Sequence, residues 1–319
     1  MAHYSDLFGF DNLTILDNGS TDKRTISLLD SAEQMGASVR RDLVGPRDFH
    51  RKGGHLTNII RGWDGMHDYD FALPVDCDER LAVFTENGLS LGKDAIHAAF
   101  DALKGKQCAF RIETSLFNVP GRQGWYAPVR HFHKRFVPAK TISGCDDGQH
   151  EPRSRLSDDI VGSFFTYLHD HHHSYKEWRR RLKNKVAGLV DPDNKAALRK
   201  YLTIPQAEGA HAVEALLVTE RQYAALYDKD IRLMPACGSS DCVMIEGPGV
   251  DIRVWDAKSY LEANPDVRAY HVGTLQHYLR HGFQEGRSLA PAFLKADADI
   301  SKAGRACRTA RQCRWDWRD

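Results

Sequence analysis

The sequence predicts an α/β fold: a mostly parallel sheet flanked by helices, followed by a helical C-terminal region. Three observations carry that reading. The apolar run Leu13-Thr14-Ile15-Leu16 passes through a polar loop, Asp17-Asn18-Gly19-Ser20-Thr21-Asp22, into Ile26, Leu28, Leu29 and Ala32, which are spaced as one face of a helix. A second apolar run, Phe71-Ala72-Leu73-Pro74-Val75, stops abruptly at Asp76, Asp78 and Glu79. Further strand-like and helix-like stretches lie between and beyond them. Strand, polar loop and helix form the βα unit of an open sheet, whose ligands gather at the carboxyl ends of the strands. Both acidic loops lie at such ends and are expected to face one crevice.

Each element follows from its residues in turn. The loop after Leu16 is rich in Asx and Gly turn formers, and Thr21 or Asp22 suits the N-cap of the helix that follows. Ala37-Ser38-Val39 reads as a short strand. The basic loop behind it (Arg40, Arg41, Arg47, His50, Arg51 and Lys52) either reaches a diphosphate or is simply solvated. From His55 to Trp63, helical spacing puts Leu56, Ile59, Ile60 and Trp63 on one face. In an extended chain Asp76 and Asp78 point the same way while Cys77 points back. Two carboxylates on one face call for a counter-charge. A divalent cation with oxygen ligands supplies one; the alternative is a solvated acidic turn.

Lys93 to Leu103 reads as a helix and Cys108 to Ile112 as a strand. Trp125 and Tyr126, in the turn-rich loop from Pro120, either stack on a sugar or pack half-buried. Trp178 to Lys185 is a basic helix suited to anionic lipid headgroups or to a solvated face. In residues 189–250, Ala196 to Leu202 and Ala212 to Leu226 look helical, and Pro235 to Gly249 reads as a loop or hairpin.

Composition narrows the partners. Forty-four basic residues stand against 43 acidic ones among 319, so no global field favours nucleic acid. The seven cysteines are scattered, and Cys237 and Cys242 lack the companions that a zinc site needs, which suits a reduced, cytoplasmic chain. No apolar run approaches the roughly 20 residues that span a bilayer, and no signal peptide is visible. Peripheral membrane contact through the basic helix is the alternative to its solvated reading.

Taken together, Gly9-Phe10-Asp11-Asn12 and the run to Asp22, followed by Asp76-Cys77-Asp78-Glu79, resemble the family 2-type glycosyltransferases. The likeness is to a bacterial branch with a His-Tyr…Gly-Phe-Asp…Asp-Asn-Gly-Ser-Thr-Asp opening and an Asp-X-Asp-Glu centre, and it covers roughly residues 3–188. It implies a GT-A fold, a nucleoside diphosphate sugar donor, a hydroxyl acceptor on a glycan or another molecule, and inversion at the anomeric carbon, as in surface polysaccharide or glycan synthesis. It further implies Mn²⁺ or Mg²⁺ held by Asp76 and Asp78 with a late histidine, His169 of the cluster His169-Asp170-His171-His172-His173; the alternative is that these are surface histidines of a polar turn. Asp17, Asn18, Gly19, Ser20, Asp22 and Asp76 are then expected to bind the donor. Asp158 or Asp159 is expected to act as the base, although Asp158 also suits a helix N-cap. His150-Glu151-Pro152 resembles a His-X-Pro element of the same family. Met1 to Tyr4 resembles the end of the family's first helix, so an upstream strand is expected to be missing and Ile15 to face a gap.

The division expected is a GT-A-like domain over 1–188, a mostly helical connection over 189–250, a small helical module over 251–291 and a basic tail over 292–319. The module resembles a Tyr-Leu-X-X-Asn-Pro-Asp-Val…Glu-Gly-Arg unit found beside bacterial glycosyltransferases, and its expected role is docking or packing. Two rivals stand beside the transferase. A phosphohydrolase also uses Asp-X-Asp, but Glu79-Arg80-Leu81 lacks the hydroxyl residue it needs. A truncated, non-catalytic GT-A-like protein would serve as a binding or interaction module.

Overall fold

The computed structural model describes residues 1–45, 48, 51–236, 240–270 and 273–289, so Arg47, His50, Cys237 and the tail 292–319 lie outside the described residues. The N-terminal unit runs α1 (Ala2–Phe8), β1 (Thr14–Leu16), α2 (Lys23–Gln34) and β2 (Ser38–Arg40). The strands pair in parallel, Ile15 opposite Val39. Asp22 caps α2, its carboxylate accepting the Thr25 N–H at 2.8 Å. Leu29 and Ala32 are buried, but Ile26 and Leu28 are exposed. Leu28 stands about 100° from Leu29 around the helix, and the narrow β1–β2 pair offers little surface to cover it. Among the described residues β1 has a strand partner on one edge only.

The chain continues through α3 (Lys52–Met66), β3 (Phe71–Ala72), β4 (Glu79–Phe84), β5 (Leu89–Ser90), α4 (Lys93–Asp101) and β6 (Ala109–Ile112). Next come β7 (Ser115–Asn118), β8 (Tyr126–Val129), β9 (Lys134–Pro138), β10 (Ile142–Gly144), β11 (Arg153–Ser154), β12 (Ile160–Gly162) and β13 (Phe165–His169). One sheet has the order β12-β6-β9-β3. A larger one runs β16-β15-β14-β8-β7-β13-β4-β5, where β14 is Arg232–Pro235, β15 Val243–Gly247 and β16 Val250–Val254.

The fold is mixed α/β, but the sheets are mostly antiparallel, against the expectation of a mostly parallel one. Parallel pairing is confined to β1–β2, β6–β12 and β7–β13 among the described pairs. The reason is connection length. Parallel neighbours need a crossover of a dozen or more residues. Here residues 85–88 join β4 to β5 and residues 119–125 join β7 to β8, and both neighbouring pairs are antiparallel.

β4 (Glu79–Phe84) has the apolar character of a strand in a parallel sheet although its neighbours are antiparallel. Both of its faces are covered, so its residues run apolar without a break. Leu81 and Val83 join a core with Phe110, Phe136, Phe165 and Tyr167, lying between the two sheets under α1 and α4. Ala82 and Phe84 face the opposite way into a second core with Leu116 and Leu168.

That second core is closed by the C-terminal segment. Residues 189–254 hold helices α6 (Lys195–Tyr201), α7 (Ala210–Leu216) and α8 (Glu220–Ala224), and then β14 to β16, which extend the large sheet. Trp255, Tyr260, Val267, Leu275, Tyr278 and Leu279 then cover its face. Trp255 precedes α9 (Ala257–Ala263), and the others come from α9, a 3-10 turn and α10 (Thr274–His277), which runs into a wide turn ending at Gly282. A Cβ on Gly282 would collide with the Tyr260 hydroxyl, so this close approach favours glycine. The described residues from Trp255 to Leu289 pack continuously with this core.

Candidate functional site

Phe71 to Val75 does not continue as a strand into the carboxylates. β3 ends at Ala72, and Asp76 to Asp78 form a turn closed by the Glu79 N–H on the Asp76 carbonyl at 3.1 Å. The same-face alternation expected of Asp76 and Asp78 is therefore absent, because the acidic stretch is the link between β3 and β4. The turn sends its carboxylates to different partners.

Asp76 faces β9. Its Oδ2 accepts from Lys134 Nζ at 2.8 Å, and its Oδ1 accepts from the Gln149 side-chain amide. Lys134 also donates to Glu79 Oε2 at 2.6 Å and has no exposed side-chain surface. A buried ammonium between two carboxylates is tolerable only as part of such a hydrogen-bonded set. Burial pushes the Glu79 carboxyl up, against the pull of Lys134.

Asp78 faces β13. Its Oδ1 lies 3.4 Å from His169 Nε2. Burial alone would raise the Asp78 carboxyl, but the neighbouring His169 carries it below the ordinary value. His169 ends a fully buried strand and is packed edge-on against Phe117 at 4.6 Å, with Phe132 at 6.2 Å. His150 lies 4.9 Å from Phe132, and its neighbour Gln149 holds Asp76, so the His-X-Pro element borders the same site. Asp170 follows, its N–H on the Asp78 carbonyl at 2.8 Å and its carboxylate accepting from the Tyr126 hydroxyl at 2.9 Å.

Asp76, Asp78 and His169 are brought into one neighbourhood, yet among the described residues no three side chains gather in metal-ligating geometry. What is present is an imidazole and a carboxylate side by side. That pair could supply two of the ligands of a divalent cation, with the remaining positions left to other oxygens.

The Asp17–Asp22 loop is ordered by its own contacts. Asp17 Oδ1 accepts the Ser20 N–H at 3.1 Å, Asn18 donates to the Leu43 carbonyl, and Gly19 takes a φ of 78°, which favours glycine. Asp22 is the cap already described. Among the described residues no hydrogen bond or ion pair joins this loop to the Asp76–Glu79 turn. Of the basic loop behind it, Arg40 pairs with Asp42, and Arg41 with Asp30 and Glu33.

Asp158 and Asp159 are exposed and precede β12, which runs parallel to β6 with Ile160 opposite Ala109. Lys134 is opposite Ile112, three residues further along. They therefore stand about 10 Å or more down the sheet from the Lys134 end. Trp125 is buried under Arg122, whose guanidinium lies 4.5 Å from the ring and pairs with Glu246, so this tryptophan is packing. In α5 (Tyr175–Lys185), Glu177 binds Arg180 and Arg181, and Lys183 binds Asp193. Among the described residues no helix is long and apolar enough to cross a membrane.

No family model, curated protein or solved structure matches this chain. The site must be argued from its own geometry.

Sequence reasoning missed Lys134, Gln149, Phe117 and Phe132. Lys134 had a signal: it shares the strand face of Phe136, an inward position where a lone lysine needs an acidic partner.

The histidines carry a pH prediction. His172 binds the Tyr227 hydroxyl at 2.9 Å, and burial, followed by the charge of His171, lowers it to about 3. His171 is lowered too, to about 4, but it presents more surface to solvent and weighs less. A histidine kept neutral in the folded state takes up its proton only on unfolding, so its contribution is present above pH ~6.5 and is lost as pH falls towards 3. Urea denaturation at pH 7.5 and 5 should show His172→Gln losing about 1–2 kcal/mol less than the parent. Equal losses would mean that His172 is protonated in the folded protein.

Proposed function

We infer that this chain is a metal-dependent glycosyltransferase with a GT-A-like nucleotide-sugar site, moving a sugar from a nucleoside diphosphate to an acceptor hydroxyl, as in surface polysaccharide synthesis. The observation that carries the reading is the approach of Asp78 to His169 at 3.4 Å, from two motifs far apart in sequence. Support also comes from the parallel strand–loop–helix unit at the N-terminus and from the acidic turn that follows β3.

Asp78 and His169 are the residues that would hold Mn²⁺ or Mg²⁺. The chemistry supplied there is neutralisation of the leaving diphosphate. Asp76 keeps 35% of its side chain exposed while bound to Lys134, and it can accept from a hydroxyl of the donor. Asp17, Asn18, Gly19, Ser20 and Asp22 are assigned to the nucleoside end. In the transfer the acceptor oxygen bonds to the anomeric carbon as the bond from that carbon to the diphosphate oxygen breaks. The diphosphate leaves with the electron pair, and the acceptor proton passes to a carboxylate. Asp170, 47% exposed and tied to Asp78 through its backbone, is better located for that proton than Asp158 or Asp159.

Mn²⁺ together with a nucleoside diphosphate should raise the melting temperature. A ligand bound only by the folded state contributes about 2.7 kcal/mol at a concentration 100 times its Kd. Asp78→Asn keeps the shape and removes an anionic ligand, so the metal-dependent part of the shift should vanish. A full shift in that variant would end the assignment.

A further inference from the structure

Glu79 and His169 are direct cross-strand partners on antiparallel β4 and β13. In such pairs the Cβ atoms stand about 4.5–5.5 Å apart, so the two side chains share one face and must deal with each other. Glu79 has no exposed side-chain surface, and His169 only 8%. One carboxylate oxygen of Glu79 is fully used: Oε2 accepts from Lys134 at 2.6 Å and from the Asp76 N–H at 2.9 Å. The other, Oε1, has no hydrogen-bond partner and lies 3.7 Å from His169 Nδ1, which also has none. Buried polar atoms left in this way are costly, and these two are complementary if the proton sits on Nδ1. The opposite ring nitrogen, Nε2, then offers its lone pair on the side of Asp78. Phe117 packs edge-on against the ring and restricts its flipping.

We propose that Glu79, anchored by Lys134, is a positioning residue that fixes His169 as the Nδ1–H tautomer, so that Nε2 is free beside Asp78 to take a divalent cation. This rests on the metal reading above. A carboxylate behind a ligating histidine fixes ring orientation and raises ligand basicity, and losing one typically weakens metal binding 10- to 100-fold. Lys134 keeps the Glu79 carboxylate in place and offsets its charge in the interior.

Two measurements on the full chain test it, neither of which requires turnover. Long-range ¹H–¹⁵N correlation of the histidine rings, without metal and at mildly alkaline pH, should show His169 with a pyrrole-like Nδ1 and a pyridine-like Nε2. The reverse pattern overturns the inference without any variant. Mn²⁺ titration followed by electron paramagnetic resonance should then show Glu79→Gln weakened 10- to 100-fold. Lys134 retains Asp76 as a partner in that variant, and Glu79→Gln with Lys134→Met removes both charges together should the single change unfold the chain. Mn²⁺ affinity unchanged by Glu79→Gln but abolished by Asp78→Asn would overturn the positioning role alone. Affinity unchanged by Asp78→Asn and by His169→Ala would end the metal reading instead, leaving the tautomer pattern to decide whether Glu79 orients the ring.

Discussion

Lys134→Ala should destabilise the protein by about 3–5 kcal/mol, the usual cost of removing one member of a buried ion pair. Lys134 has no exposed side-chain surface and makes two short hydrogen bonds, to Asp76 and Glu79. Without it Glu79 is a buried carboxylate next to Asp76, and among the described residues its remaining basic neighbour is the His169 imidazole, 3.7 Å away. The chain's cheapest response is to protonate Glu79, so the loss should shrink as pH falls towards the carboxylate range. Burial already raises Glu79, which sets the direction of that change. Urea denaturation at pH 8 and at pH 5 measures both effects. The paired change Lys134→Met with Glu79→Gln should recover most of the loss, since a polar interior can be exchanged for a neutral one at small cost. A single-variant cost below about 1 kcal/mol would mean that the pair is open to water.

The acidic centre was legible because its chemistry is local. Asp76, Asp78 and His169 could be picked out as residue types, and the structure brings them together. Their geometry was not legible. The expectation that Asp76 and Asp78 share a face rested on a strand running through Val75, whereas Pro74 and the turn at Cys77 and Asp78 end it early. Asp22 as the cap of α2 followed from a rule that needs only neighbours in sequence. Sheet direction is a property of distant pairing. An apolar run such as Leu81-Ala82-Val83-Phe84 looks the same whether its neighbours run parallel or antiparallel, because both faces are covered either way. Lys134 and Gln149 escaped for the same reason: their roles exist only once β9 and the segment before Glu151 fold onto the turn.

Removing the C-terminal segment from Trp255 onward should leave a protein that aggregates. The larger sheet has two covered faces, and this segment closes one of them with Trp255, Tyr260, Val267, Leu275, Tyr278 and Leu279. Arg130 fastens it from beneath, donating to the Leu279 carbonyl at 2.8 Å and to both oxygens of Asp230. Arg280 pairs with Glu113 at the other side. Exposing Ala82, Phe84, Leu116 and Leu168 together would leave an apolar patch of the kind that drives association. Point changes give the graded version. Tyr278→Ala should cost about 3–5 kcal/mol and Leu279→Ala about 2–5 kcal/mol, from lost burial and the cavity left behind. Gly282→Ala should be costly for a different reason, the collision with the Tyr260 hydroxyl that binds His277 at 2.9 Å. Adding Tyr260→Phe should relieve part of that collision. Size-exclusion chromatography with multi-angle scattering reads the deletion, and urea denaturation reads the substitutions. A monodisperse, cooperatively unfolding protein that ends before Trp255 would show that the sheet is stable without its cover.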